Sequence, residues 1–236
     1  MKLSVIIPVY NEEKTVCELI RRVVAEKTPK EIIVVDDGST DNTLKIIKNL
    51  KLKIKNYNSK LKILRNEKNL GKGAALRKGI GNATGDILII QDADLEYDPN
   101  DYERLLEPIT SGKAEVVYGS RLKNLKLKFW GKDKTPLPFH YLANRFLCLL
   151  TNLLYGSNLT DMETGYKMMT REVYLKLELV SNKFDIEPEI TTKVLRQGYK
   201  IIEIPIVTKP RSYLQGKKIK AKDGMVAVWT LFKYRF

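Results

Sequence analysis

Asp86-Ile-Leu-Ile-Ile-Gln-Asp92-Ala-Asp94-Leu-Glu96-Tyr97-Asp98-Pro-Asn-Asp-Tyr-Glu103 joins an apolar run to a cluster of carboxylates. From Asp92 onward, acids stand at positions 1, 3, 5, 7 and 12 of a window the length of a calcium-binding loop. Three features remove that reading. Position 5 is Glu96, where Asp or Asn is usual. Position 6 is Tyr97, where the sharp turn calls for glycine. The segment before it, Asp86–Ile90, is an apolar β-type run and not a helix. The stretch reads instead as a buried strand whose end delivers Asp92 and Asp94, two residues apart in extended chain and able to point the same way. Such a pair suits Mg2+ or Mn2+, with phosphate and water completing the coordination. Asp-x-Asp is common by chance, so its weight depends on what lies around it.

Outward from this strand the pattern alternates. Leu3–Pro8, Ile32–Val35, Leu61–Leu64 and Glu115–Tyr118 are further short strands. Helical stripes lie at Glu12–Glu26, Asn42–Leu50, Ala74–Ile80 and Tyr102–Ser111. Strands alternating with helices predict an α/β fold with a mostly parallel sheet flanked by helices. Ligands then bind beyond the carboxyl ends of the strands. Those ends carry Tyr10-Asn11-Glu12, Asp36-Asp37, Asp92-Ala-Asp94 and Gly119-Ser-Arg121. The later chain is less regular. Residues 122–138 read as a basic mobile loop, 140–155 and Glu187–Gln197 as helices, and Lys200–Val207 as a strand. Arg211–Lys222 reads as a basic loop, and Gly224–Phe236 as an apolar helix carrying Lys and Arg.

The net charge of +14 is concentrated. Residues 121–145 hold a net +6 and residues 209–236 a net +7, so the rest is balanced. Two cationic segments on a neutral body predict a polyanionic surface or ligand: an anionic membrane, phosphates or nucleic acid. No nucleic-acid-binding module is recognisable, and strand ends lined with carboxylates would repel phosphates without a metal. Cys17 and Cys148 lie in no motif, which suggests a reducing compartment and buried thiols. Met1-Lys-Leu-Ser runs straight into a core strand, with no signal peptide visible. No stretch reaches the roughly 18 apolar residues of a membrane span.

Ile6-Ile-Pro-Val-Tyr-Asn-Glu-Glu13, Val34-Val-Asp-Asp-Gly-Ser-Thr-Asp41, Asn69-Leu-Gly-Lys-Gly73 and Asp92-Ala-Asp94 occur in an order and spacing that resembles the family-2 glycosyltransferases of GT-A (Rossmann-like) fold. Gly119-Ser-Arg121, Asp161-Met-Glu-Thr-Gly-Tyr-Lys167 and Ile204-Pro-Ile206 resemble the branch of dolichol-phosphate mannosyltransferases and polyprenyl-phosphate glycosyltransferases. The similarity covers nearly the whole chain. It implies a catalytic domain over 1–208, with a nucleotide-sugar-binding half at 1–120 and an acceptor-binding half at 121–208. Residues 209–236 then form a basic loop and a membrane-proximal amphipathic helix.

The resemblance also implies roles. Pro8, Tyr10, Glu12, Asp36 and Asp37 border the nucleotide, with Asp36 the favoured contact of its pair. Asp37 also suits turn chemistry, and Lys72 could reach a phosphate. Asp92, Asp94 and possible further ligand Glu96 hold Mg2+ or Mn2+ against the donor diphosphate; many family members have Gln at the position of Glu96. Asp94 and Arg121 are the catalytic pair. A phosphate acceptor, whose second pKa is about 6, is already a nucleophile at neutral pH and needs cations to place it, not a base. Candidates are Arg121, His140, Arg145, Arg211, Lys217 and Lys218. The expected activity is inverting transfer of a hexose from GDP-mannose or a UDP-sugar to a dolichyl or undecaprenyl phosphate. The expected location is the cytoplasmic face of a membrane, with peripheral attachment. One alternative is transfer to a hydroxyl of a polysaccharide or glycolipid with Asp185 or Glu187 as base. The other is a non-enzymatic nucleic-acid-binding protein.

Overall fold

The computed structural model describes residues 1–53, 60–125, 138–211 and 221–236. The first half winds as β1 (Leu3–Val9), α1 (Val16–Ala25), β2 (Lys30–Asp36), α2 (Thr43–Lys53), β3 (Lys60–Arg65), α3 (Lys72–Gly81), β4 (Ile87–Ile90), α4 (Tyr102–Thr110) and β5 (Val116–Ser120). The second half adds α5 (Pro138–Tyr155), β6 (Lys167–Thr170), α6 (Arg171–Lys176), α7 (Ile186–Arg196), β7 (Ile201–Pro205) and α8 (Ala221–Lys233). All seven strands form one sheet in the order β3-β2-β1-β4-β6-β5-β7. Six strands run parallel, and β6 is antiparallel to both of its neighbours.

Alternation within the strands makes two cores. Val5, Ile7, Ile32, Val34 and Ile89 face α1, α2 and α4. Ile6, Ile33, Val35, Leu88 and Ile90 face α3, α6 and α7. Every residue of β2 is buried, as befits a strand covered on both faces. A third, smaller core joins Leu147, Cys148 and Met162 to Ala227 and Leu231, so α8 packs on α5. Tyr155 Oη donates to Leu231 O at 2.7 Å, and Tyr234 Oη donates to Glu189 Oε1 at 3.1 Å, anchoring α8 further.

β6 and α6 escape the sequence-based expectation, and α5 and α8 begin earlier than it placed them, α8 at Ala221 within the expected Arg211–Lys222 loop. β6 is four residues, Lys-Met-Met-Thr, with a charged start and weak β-propensity, and it runs directly into α6. Its insertion between β4 and β5 brings the Asp161–Gly165 segment to the sheet edge where the parallel strands end. Pro138 also belongs to α5 and not to the preceding loop, as its fixed φ permits at a helix start. Residues 126–137 of that expected mobile loop, and residues 212–220 of the second basic loop with Lys217 and Lys218, lie outside the described residues.

At the opposite edge of the sheet, Glu31 is buried. It accepts from Ser4 Oγ at 2.5 Å, Thr84 N at 2.6 Å and Gly85 N at 3.0 Å. Burial pushes its carboxyl up, but these bonds outweigh it and hold the pKa at about 2. A depressed folded-state pKa stabilises the protein above the unfolded value of about 4.3 and ceases to do so as pH falls through about 2. Glu31→Gln is expected to destabilise the protein at pH 7 by on the order of 1 kcal/mol, the full shift being discounted for solvent screening. In urea titrations the gap to wild type should narrow steadily below pH 4.

Candidate active site

β4 ends at Ile90, and the next six residues form the floor of the site. Gln91 Oε1 accepts from Tyr102 Oη at 2.7 Å and Tyr166 Oη at 2.6 Å. The Tyr97 ring packs 4.6 Å from that of Tyr166, and Gly165 N donates to Tyr97 Oη at 2.7 Å. Tyr97, which ruled out a calcium loop, is therefore a core residue that ties the acidic turn to the Asp161–Gly165 segment. Gly165 leaves room for the Asp92 carboxylate, which a β-carbon there would push aside. Between the acids, Leu95 takes a left-handed φ of 64°, an unfavourable conformation for a bulky side chain. It is held by Glu96 N donating to Asp94 Oδ1 at 3.1 Å and by Arg211 Nε donating to Asp94 O at 2.8 Å.

Asp94 is crowded by like charge. Burial comes first, then the charges of Asp92 and Glu96. Together they raise its pKa to about 7, against the opposing pull of the Glu96 amide and Arg211. Asp92 meets Lys72 Nζ at 2.7 Å, and the same ammonium lies 2.8 Å from Glu187 Oε1. Glu187 also pairs with Lys167, which is wholly buried in β6. Burial alone would raise the Glu187 carboxyl, but Lys167 and Lys72 hold it well below the usual carboxylate range. Lys72, the residue expected to reach a phosphate, projects from the start of α3 onto Asp92.

On the other side, Arg121 leaves β5 and meets Asp161 in a bidentate pair, Nε to Oδ2 at 2.7 Å and Nη2 to Oδ1 at 2.8 Å. Asn144 Nδ2 donates to the same carboxylate at 2.6 Å. Glu203 of β7 accepts from Thr160 N at 2.9 Å and Asp161 N at 3.0 Å, fixing the turn that carries Asp161. Beside this pair opens a cavity of about 310 Å3, lined by Glu96, Arg121, His140, Tyr141, Asn144 and the Pro205–Thr208 segment among others. Asp161 and Glu203 were not singled out from sequence. An Asp in the quoted Asp161–Lys167 motif was visible, but nothing local identifies its partner.

Other expected residues are more dispersed. Pro8 and Tyr10 are partly buried at the end of β1. Glu12 meets Arg211, Nη2 to Oε2 at 3.0 Å. Arg211, expected at the acceptor, therefore lies over the acidic turn, where its backbone N also donates to Glu96 Oε1 at 2.9 Å. Asp36 is fully buried, with Oδ2 at 3.3 Å from Arg65 Nε. Asp37 spends both oxygens on the chain before α3, accepting from Asn66 Nδ2, Leu70 N and Gly71 N at 2.8, 3.1 and 2.7 Å. Arg145 is exposed on α5 and does not line the cavity. Asp185 Oδ1 accepts from Lys183 N at 3.0 Å at the start of α7.

Among the described residues, no three His, Cys, Asp or Glu side chains form a ready-made metal cage. That suits a Mg2+-type ion, which takes one or two carboxylates and completes its shell with substrate phosphate and water. The crowding at Asp94 and the ammonium seated on Asp92 both mark a place that favours added positive charge. The donor set therefore fits the group.

A doubly wound sheet with paired carboxylates at a central strand end and a cavity alongside defines a glycosyltransferase of GT-A type. The fold is shared with glucosyl-3-phosphoglycerate synthase from Mycobacterium tuberculosis solved with UDP. That match has a TM-score of 0.73 at 19% identity, covering 99% of this chain and 80% of that one. A second structure of that enzyme, with Mn2+, UDP and glucosyl-3-phosphoglycerate, has a TM-score of 0.69 at 18% identity, covering 99% and 79%. The chain belongs to glycosyl transferase family 2, whose description matches residues 4–177. It is 32% identical over 242 residues to the UDP-N-acetylglucosamine–dolichyl-phosphate N-acetylglucosaminyltransferase of Methanococcus voltae, covering 97% of this chain and 94% of that one. It is 31% identical over 229 residues to the dolichol-phosphate mannosyltransferase of Pyrococcus furiosus, covering 93% of this chain and 61% of the other.

Proposed function

We propose that this protein transfers a hexose from a nucleoside-diphosphate sugar to the phosphate of a polyprenyl phosphate, with inversion at the anomeric carbon. The observation that carries the reading is a continuous path. The carboxylates at the end of β4 adjoin, through Glu96, the cavity edged by Arg121 and His140. That cavity in turn borders α5, whose outer face is apolar. Diphosphate, acceptor phosphate and lipid tail each find their own chemistry along it.

Asp92 and Asp94 would hold a divalent cation, which would neutralise the charge that builds on the departing diphosphate. Arg121, set by Asp161 and Asn144, orients the acceptor phosphate. One phosphate oxygen forms the bond to the anomeric carbon from the face opposite the diphosphate. The carbon–oxygen bond to the diphosphate breaks, and the nucleoside diphosphate leaves with the electron pair. No proton has to be removed. This agrees with buried Glu187 being committed to Lys72 and Lys167, which hold its carboxyl well below the usual range and make it a poor base. That commitment weighs against Glu187 as the base of the hydroxyl-acceptor alternative. Support for the lipid comes from the two dolichyl-phosphate enzymes named above.

The membrane side is supported by two helices. On α5, Phe139, Leu142, Phe146, Leu149 and Leu153 recur at steps of three and four and are all exposed. On and just past α8, Met225, Trp229, Phe232 and Phe236 do the same. Exposed Arg145, Lys222, Lys233 and Arg235 accompany them. Two apolar stripes on packed helices, with cations nearby, fit the headgroup boundary of an anionic membrane. No helix among the described residues is long and apolar enough to cross a membrane. The double variant Leu149→Glu, Trp229→Glu is expected to lose at least about tenfold in binding to anionic vesicles, from the lost apolar burial. Turnover of a short, water-soluble acceptor should be unchanged. Sedimentation with vesicles beside a detergent assay reads both.

The activity is tested by incubating the protein with GDP-mannose, UDP-glucose or UDP-N-acetylglucosamine, Mg2+ or Mn2+ and a short polyprenyl phosphate, and weighing the lipid product by mass spectrometry. Transfer to a hydroxylated glycolipid and never to the phosphate would overturn the proposal.

A further inference from the structure

The contacts of Lys72 form one end of an alternating row of charges. Lys167 pairs with Glu187, Glu187 with Lys72 at 2.8 Å, and Lys72 with Asp92 at 2.7 Å. Lys167 Nζ also donates to Thr164 O at 2.6 Å, and its side chain is wholly buried. The row becomes accessible toward Asp92, whose side chain is 21% exposed and which is one of the two carboxylates offered to the cation. The backbone is built to hold this end in place. Asp37 accepts from Leu70 N and Gly71 N, and Ala74 N donates to Asn182 O at 3.1 Å. Gly71, at φ 105°, and Gly73 approach Asn182 and Ser181 so closely that β-carbons there would collide with backbone. The start of α3 is thus locked to the segment leading into α7, and Lys72 projects from it onto Asp92.

A divalent cation and an ammonium cannot both sit in contact with one carboxylate without strong mutual repulsion. Lysine has three donors on a flexible stem. It can keep Glu187 and give up Asp92. Resting on the proposed function for the identity of the diphosphate, we propose that Lys72 is a resident counter-cation: it holds Asp92 in the donor-free enzyme and yields that carboxylate to the divalent cation. Its ammonium, still tethered to Glu187, then turns to the donor diphosphate. The consequence is coupling. The cation alone binds weakly because it must displace Lys72. The diphosphate gives the displaced ammonium a new partner, so each ligand strengthens the other by the same factor.

A purely structural Lys72 makes the opposite prediction for the metal. If it only orients Asp92, removing it weakens cation binding; if it competes, removing it strengthens binding. The test is Mn2+ binding to the full chain, read from the electron paramagnetic resonance signal of free Mn2+, with and without GDP or UDP. Lys72→Met is expected to bind Mn2+ alone about tenfold more tightly than wild type, and to lose about tenfold of the metal–nucleotide coupling. Unchanged or weaker Mn2+ binding by a folded Lys72→Met protein overturns the proposal. A readout on the wild type guards against a variant that does not fold. The Lys72 ammonium proton resonance should shift when Mg2+ and nucleotide are added together. A resonance that both ligands leave unmoved overturns the proposal as well. If the wild type binds neither nucleotide with Mn2+ present, the proposed function falls, while the direction of the Lys72→Met effect on Mn2+ alone still decides the counter-cation.

Discussion

Asp94→Ala protein is expected to transfer sugar at least about 1,000-fold more slowly than wild type, because charge stabilisation by a metal is worth several kcal/mol at the transition state. The same change should leave the unliganded protein as stable as wild type, or up to about 1 kcal/mol more so. The reason is that burial, and after it the charges of Asp92 and Glu96, push the Asp94 carboxyl to about 7. Removing it relieves repulsion between like charges. Asp92→Ala provides the contrast. It should lose activity to a similar degree but also destabilise the fold, since Lys72 then keeps only Glu187 as a partner. Thermal melts of both variants without metal, beside initial rates with Mn2+, separate the two carboxylates. Equal stability losses in the pair would show that the site is not charge-strained as described.

The second large effect belongs to Asp161. It is fully buried and holds Arg121 through three hydrogen bonds, two from the guanidinium and one from the backbone N at 2.9 Å. Breaking a buried ion pair by removing one partner costs about 3–5 kcal/mol, most of it from the charge left uncompensated. Asp161→Ala should pay that in urea unfolding. Its activity should fall as well, because Arg121 loses the fork that orients it. Exchanging Arg121 for Met in the Asp161→Ala background should recover part of the stability and none of the activity. A single variant within 1 kcal/mol of wild type would mean that the pair is less isolated from water than its burial indicates.

Much of this site is legible in the sequence. The β-branched runs at Val5–Ile7, Ile32–Val35 and Ile87–Ile90 can hardly be anything but central strands. In a parallel sheet their carboxyl ends must collect the residues that follow them. That reasoning alone brings Glu12, Asp37, Asp92, Asp94 and Arg121 to one edge, which is where the structure has them. It fails at β6. A four-residue Lys-Met-Met-Thr strand has no pattern long enough to distinguish it, and it is stabilised by its two neighbours and not by its own propensity. The apolar stripe of α5 was partly legible as a periodic helix, but which side of it stays uncovered depends on where α8 packs.

The sequence by itself determined the periodicities, and with them the parallel strands and the edge on which the carboxylates gather, because those follow from neighbours a few residues apart. Only the tertiary structure decided which charges meet. Arg121 pairs with Asp161 forty residues away, and Arg211 with Glu12 across 199. Lys72 rests on Asp92 twenty residues further along the chain. Ion pairing is settled by distance in space and by how much water is excluded, and neither is written in local spacing.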